Sequence, residues 1–374
     1  MSGSSNKLRI RTTVILVACF ASGLGFADPA YERIELENFP GSTWSDAFDV
    51  NNAGWVVGRA ESPASQLRAV VWQDGHMVDL GVDKDDIDNY LRINSSGQVI
   101  GQAWEDFVAS PFLWRQGYLT ILDSLGGLDS DIAEINNRGD IVGWSQDRNG
   151  MQHAAIWTDG SVVDLGVLVD SALRSIALQI NNRGQVVVTA FEQSPLRGTL
   201  YLYRKGKVTE LGSLGGGFAW ATDINEKGQV VGSSVTSHGD THAMLWQKGT
   251  MMDLGTLGGN WSRADAINNK GEVVGVSRTA SGETRPFLWR NGRMFELKTL
   301  GGQFGHRVAD INGRGQVVGT STMPDGSRHA VLWWKGKITD LGPGAAMAIS
   351  DSGIIAGTGP IPGGETAIMW CPAD

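Results

Sequence analysis

The sequence predicts an all-β chain: an eight-bladed β-propeller built from four-stranded repeats of about 43 residues and closed by its N-terminal strand. Three observations predict it. First, a hydrophobic-Asn turn recurs as Val50-Asn51, Ile93-Asn94, Ile135-Asn136, Ile180-Asn181, Ile224-Asn225, Ile267-Asn268 and Ile311-Asn312, degenerating to Ile349-Ser350. Successive copies lie 43, 42, 45, 44, 43, 44 and 38 residues apart, and a Gly follows three residues on in all eight. Second, no long window after residue 30 carries a helical 3.6-residue period. Third, the two ends of the repeat array complement each other.

The unit from Ala219 to Gly259 shows why each repeat should make four strands. Short apolar runs surround Ile224, Val230-Val231, Met244 to Trp246 and Met251 to Leu254. Their β-branched and aromatic residues, bounded by Gly and Asn, favour strands. Asn225-Glu-Lys-Gly228 separates the first two, with Gly placed where φ turns positive. Ser237-His-Gly-Asp forms the second loop, and Lys248-Gly249 a tight hairpin. The third strand ends in Trp72, Trp114, Trp157, Trp246, Trp289, Trp333 and Trp370, with Tyr203 standing in once. Asp-Leu-Gly at Asp79, Asp164, Asp253 and Asp340 marks the fourth strand, and Ile121-Leu-Asp departs from it.

A four-stranded blade cannot bury both of its faces alone, so neighbours must stack into one domain, residues 28–374. An open solenoid would need capping units at its ends. Here the eighth unit stops after its third strand at Trp370, while Ile34 to Gly41 reads as an orphan fourth strand. Pairing Ile34–Phe39 with the strand ending at Trp370 would close the ring.

Residues 1–27 read as a signal peptide: Lys7, Arg9 and Arg11 precede an apolar stretch, and Gly25-Phe26-Ala27 offers a small-x-small cleavage site. The mature chain would start at Asp28 and be secreted or periplasmic, without a transmembrane segment. Leu16-Val-Ala-Cys19 offers a lipoprotein alternative, although the apolar run continues beyond Cys19. Of 31 Lys and Arg, removal of the leader takes three and leaves 28 against 40 acids, a net charge of −12. Such a surface argues against nucleic-acid partners. Cleavage would also leave Cys371 as the only cysteine.

The segments Ala221-Thr-Asp-Ile-Asn-Glu-Lys-Gly-Gln-Val-Val-Gly232, His242-Ala-Met-Leu-Trp-Gln-Lys-Gly249 and Asp253-Leu-Gly-Thr-Leu-Gly-Gly259 recur along residues 34–370. As a set they resemble the HAF-repeat family of extracellular bacterial proteins. The resemblance implies export and a repeat fold, and it brings no catalytic residues or cofactor. The fourth unit fits least well, with Val188 in place of the second-strand Gly and Thr199-Leu200 in place of His-Ala.

No nucleophile elbow, phosphate loop, HExxH or CxxC occurs. Ser145-Gln-Asp-Arg-Asn-Gly150 and Pro324-Asp-Gly326 resemble glycosidase Asp boxes but have the wrong spacing. His153, His242 and His329 take one position in units three, five and seven, too far apart to share a metal. A hydrogen bond to the b–c loop would explain them, and His306 stands isolated. Asp49, Glu134, Asp223 and Asp310 alternate with Arg92, Gln179, Ala266 and Ala348 just before the turn. These acids either ring a cation near the axis or pair locally with amides or a neighbouring blade. Trp44, Phe218, Trp261 and Phe304 break the repeat on the loops that precede first strands, where aromatics suit sugar stacking or partner docking. Wedge packing between blades is the plainer reading. The expectation is therefore a binding module for a protein or surface glycan, not an enzyme, with no cofactor. A secreted propeller hydrolase or lyase acting on polysaccharide is the alternative.

Overall fold

The structure, a computed structural model, describes residues 31–82, 86–87, 90–105, 108–166, 172–191 and 198–373. These residues form eight antiparallel blades, one per repeat. In the fifth blade the strands are Gly215–Ile224, Val230–Thr236, Thr241–Gln247 and Thr250–Asp253, each paired with the next. The second blade departs from this plan, with its first strand broken into Asp86–Ile87 and Arg92–Ile93. The fourth, whose sequence fits the repeat least, still forms all four strands from Arg174 to Glu210.

Stacking explains the strand chemistry. Val230 and Val231 point to opposite faces of their blade, yet both are fully buried. Val230 joins a core with Val187 and Leu200 of the fourth blade, and Val231 one with Phe287 of the sixth. Burying each such side chain stabilises by about 1.5–3 kcal/mol. The Gly that follows them has a different cause. A bulge in the first strand brings Trp220 O to 1.9 Å from where a Cβ on Gly232 would stand. Gly58, Gly143, Gly275, Gly319 and Gly357 meet the same backbone obstruction in their own blades. The tight hairpins have positive φ at both central residues, as at Lys248 (51°) and Gly249 (85°), the turn whose twist matches the strands.

The turn Asn does more than turn. Asn225 Oδ1 accepts from the amides of Lys227 and Gln229, while its Nδ2 donates to Asn268 O of the next blade. The same bond runs from Asn51 to Asn94, to Asn136, to Asn181, to Asn225, and from Asn268 to Asn312 and on to Ser350. Asp351 N donates to Asn52 Oδ1 and continues the ring into the first blade. The repeat Trp adds an outer tie: Trp157 Nε1 donates to Asp123 O and Trp333 Nε1 to Lys298 O, each in the preceding blade.

Closure is as expected, with the strand beginning and ending a few residues earlier than Ile34–Phe39. Tyr31–Glu35 pairs antiparallel with Gly364–Pro372, from Tyr31 opposite Pro372 to Glu35 opposite Ile368, and Leu36 N donates to Ala367 O. The strand thus ends before Phe39. Glu37 O instead accepts from Trp72 Nε1, and Ser42 N bonds Phe39 O in a turn, because the chain must swing here into the first blade. The proposed leader, Cys19 and Asp28 lie outside the described residues. Cys371 is buried in the eighth blade.

Candidate functional site

Antiparallel order puts the Asn turns and Trp hairpins on one face of the ring. The loops that precede the first strands lie on the other. Trp44, Phe218, Trp261 and Phe304 all lie on that second face, the last three on consecutive blades. Their exposure differs. Trp44, Phe218 and Trp261 are half-buried, and Phe304 is 74% exposed. Spacing accounts for this: the first three stand seven residues before the turn Asn and Phe304 stands eight. At seven residues the backbone meets the preceding blade, with Trp261 bridging Thr241 and Trp44 bridging Glu365. Arg59 also lies over the Trp44 ring, 5.6 Å from its centroid. Trp44 and Trp261 therefore sit at blade junctions, Phe218 is half-buried on the equivalent loop, and Phe304 presents its ring to solvent.

Below this face the first strands of all eight blades enclose an axial cavity of about 450 Å³, lined by Asp49, Glu134, Asp223 and Asp310 among others. Both carboxylate oxygens of Asp49, Asp223 and Asp310 accept backbone amides. Asp223 takes Ile224 N at 2.7 Å and Ile267 N of the sixth blade at 2.8 Å. Asp49 takes Val50 N and Ile93 N, and Asp310 takes Ile311 N and Ile349 N. Each of these three aspartates thus staples its own odd blade to the following even one. Glu134 differs: it accepts Ile135 N and faces Arg92 Nε at 3.8 Å.

Burial pushes these carboxyls up, Glu134 and Asp223 to about 7 and Asp310 to about 6, and Asp49 upward as well. The amide bonds oppose the shift. Arg92 also holds Glu134 down, while repulsion among the acids adds to it.

The histidines bind their own blade, but not its loop. His153, His242 and His329 each place Nδ1 2.8–3.0 Å from the Asp of the fourth strand, at Asp164, Asp253 and Asp340. That Asp caps the next turn, as Asp253 does for Gly255 N. His306 is buried and holds its loop, with Nδ1 3.1 Å from Ser321 Oγ and Nε2 3.1 Å from Gly302 O. Burial lowers its pKa first of all, and Arg285 lowers it further.

No protein-family model and no curated protein matches the chain. Among solved structures, a puromycin hydrolase superposes with a TM-score of 0.56 at 13% identity, over 85% of this chain and 59% of the hydrolase. A puromycin-hydrolyzing peptidase from Mycobacterium tuberculosis gives 0.51 at 11% identity, over 86% of this chain and 59% of its own. This chain therefore spans about three-fifths of the length of those structures. At such identities the likeness shows the fold, a β-propeller. It also corrects the expectation that the chain is not an enzyme: a ring of this kind occurs in hydrolytic enzymes, so the fold does not exclude catalysis. Among the described residues no helix is long and apolar enough to cross a membrane.

Proposed function

We propose that this chain is an exported propeller of the HAF-repeat type. It binds a protein or a surface glycan through the face that carries the loops before the first strands. One observation supports this reading above the others: Phe304, an aromatic outside the repeat pattern, is 74% exposed on that face. Exposed aromatic surface of this kind is a recurrent mark of binding sites. A glycan array and pull-down with residues 28–374, followed by Phe304→Ala, tests binding. That substitution should weaken binding about tenfold or more and leave the melting temperature unchanged, as loss of a contact aromatic does. Binding that survives the substitution would sink the aromatic-face reading. Mass spectrometry of exported protein should find Asp28 at the N-terminus. An acylated Cys19 would make it a lipoprotein instead.

A further inference from the structure

Beside Phe304 the same face opens a recess of about 520 Å³ between the sixth, seventh and eighth blades. Arg263, Arg307 and Arg328 line it, with His306, Thr320 and Ala345. Arg263 and Arg307 hold the same repeat position, five residues before the turn Asn, on adjacent inner strands. The eighth blade has Ala345 there, five before Ser350, and this small residue leaves the space open. Arg263 donates Nε to Asp265 Oδ1 at 2.7 Å. The side chains of Arg307 and Arg328 make no hydrogen bond or ion pair with any described residue, although Arg307 lies near enough to Asp265 for its charge to be felt there. Three guanidinium groups thus share one recess with a single partnered carboxylate, on a chain whose net charge is −9.

Nearby acids do not fill the gap. Asp310 and Asp223 are committed to backbone amides at the axis. Asp265 is one carboxylate against three guanidinium groups, and a bound anion relieves the remaining repulsion through paired N–H bonds. A second feature narrows the ligand. The loop from Gly301 to His306 carries Phe304 into an adjoining recess of about 520 Å³, with Pro324 and Met323 on its other side. A planar apolar ring beside an arginine cluster suits a ligand with one acidic group and one apolar face. The overall negative charge disfavours a long polyanion.

We infer that this pair of recesses binds a short acidic saccharide, its carboxylate held by Arg307, Arg328 and Arg263 and one sugar face laid on Phe304. This rests on the glycan form of the function proposed above. Calorimetry of residues 28–374 with a trigalacturonate and with its methyl ester tests it, with sodium sulfate as a third probe. The acid form should bind, and the ester about tenfold or more weaker, the loss expected when a charged hydrogen bond disappears. Arg307→Gln and Arg328→Gln should each weaken the acid form to a similar degree at unchanged melting temperature. Arg307→Lys should recover part of the loss.

Equal binding of acid and ester, or arginine variants that bind as the unaltered protein does, would overturn the carboxylate assignment while leaving the aromatic-face reading intact. Sulfate binding as tight as the saccharide would overturn the saccharide and leave a simple anion site. No binding of either form would overturn the inference as well, and the Phe304→Ala array then decides the broader reading separately.

Discussion

At the scale of single residues, the side chains that look alike in the repeat divide by what they must donate as well as accept. Asn225 both accepts two amides in its turn and donates to Asn268 O. Aspartate could make the turn but has no proton for the donation, and it would set a buried negative charge against a carbonyl. Asn225→Asp should therefore destabilise by about 2–4 kcal/mol, read as a lower midpoint in urea unfolding. An unchanged midpoint would mean that the ladder adds nothing. The aromatics divide similarly. Trp261→Ala should cost about 1–3 kcal/mol because a half-buried ring is lost at a blade junction, whereas Phe304→Ala should leave stability alone. Equal thermal stability of the two variants would contradict the division of roles.

At the scale of the element, the blade is held by places where its strands nearly touch. Gly232 faces Trp220 O across the first-strand bulge, at a distance no Cβ can occupy. Gly232→Ala should cost about 3 kcal/mol or more, since backbone rather than a flexible side chain must give way. Thermal denaturation checks this, and Gly249→Ala makes a useful contrast: its Cβ meets nothing, and the penalty there comes from φ of 85° alone. The His–Asp pairs and the Trp indole bonds act at the same level. The His–Asp pairs fix the fourth strand to the third, and the indoles of Trp72, Trp157, Trp333 and Trp370 tie their blades to the one before.

For the whole molecule, two properties belong to the ring and to no blade alone. The first is closure. Tyr31–Glu35 supplies the outer strand of the eighth blade, and Leu36 extends the ladder to Ala367. Removal of residues 28–40 should lower the melting temperature of the entire ring and promote aggregation through the bared edge of Gly364–Pro372. Leu36→Pro deletes an amide that is in the ladder and should act in the same direction, more weakly. A truncated protein with the original melting temperature would disprove closure as a source of stability.

The second is the axial charge. Asp223 and Glu134 bind protons up to about pH 7 in the folded ring, well above the ordinary carboxyl range of the unfolded chain. A raised folded pKa gives stability that is complete below the unfolded value and lost as pH climbs through the folded one. The axial groups should therefore make the protein less stable at pH 8 than at pH 5. Asp223→Asn should flatten that slope, at the expense of one amide facing an NH₂ group. A melting temperature that rises between pH 5 and pH 8, with the variant showing the same slope, would show these carboxyls to be ionised without strain.

The repeat was legible in the sequence because it is a matter of spacing: the Ile-Asn turn, the Trp hairpin and the missing fourth strand at the end fix blade number, strand order and closure. Each of these is local, or an arithmetic relation between local features. The positions that face the next blade were not legible in that way. Asn read as a turn residue, and its second bond exists only because another blade stands beside it. The alternating acids left two readings, and the amides that Asp49, Asp223 and Asp310 take from the following blade could be seen only in the ring. Phe304 read as one of four equivalents, although its eighth-residue spacing already marked it as different. The arginine recess could not be read at all. Arg263, Arg307 and Arg328 lie as much as 65 residues apart, and only the curvature of the ring, with Ala345 leaving space, brings their side chains to one opening.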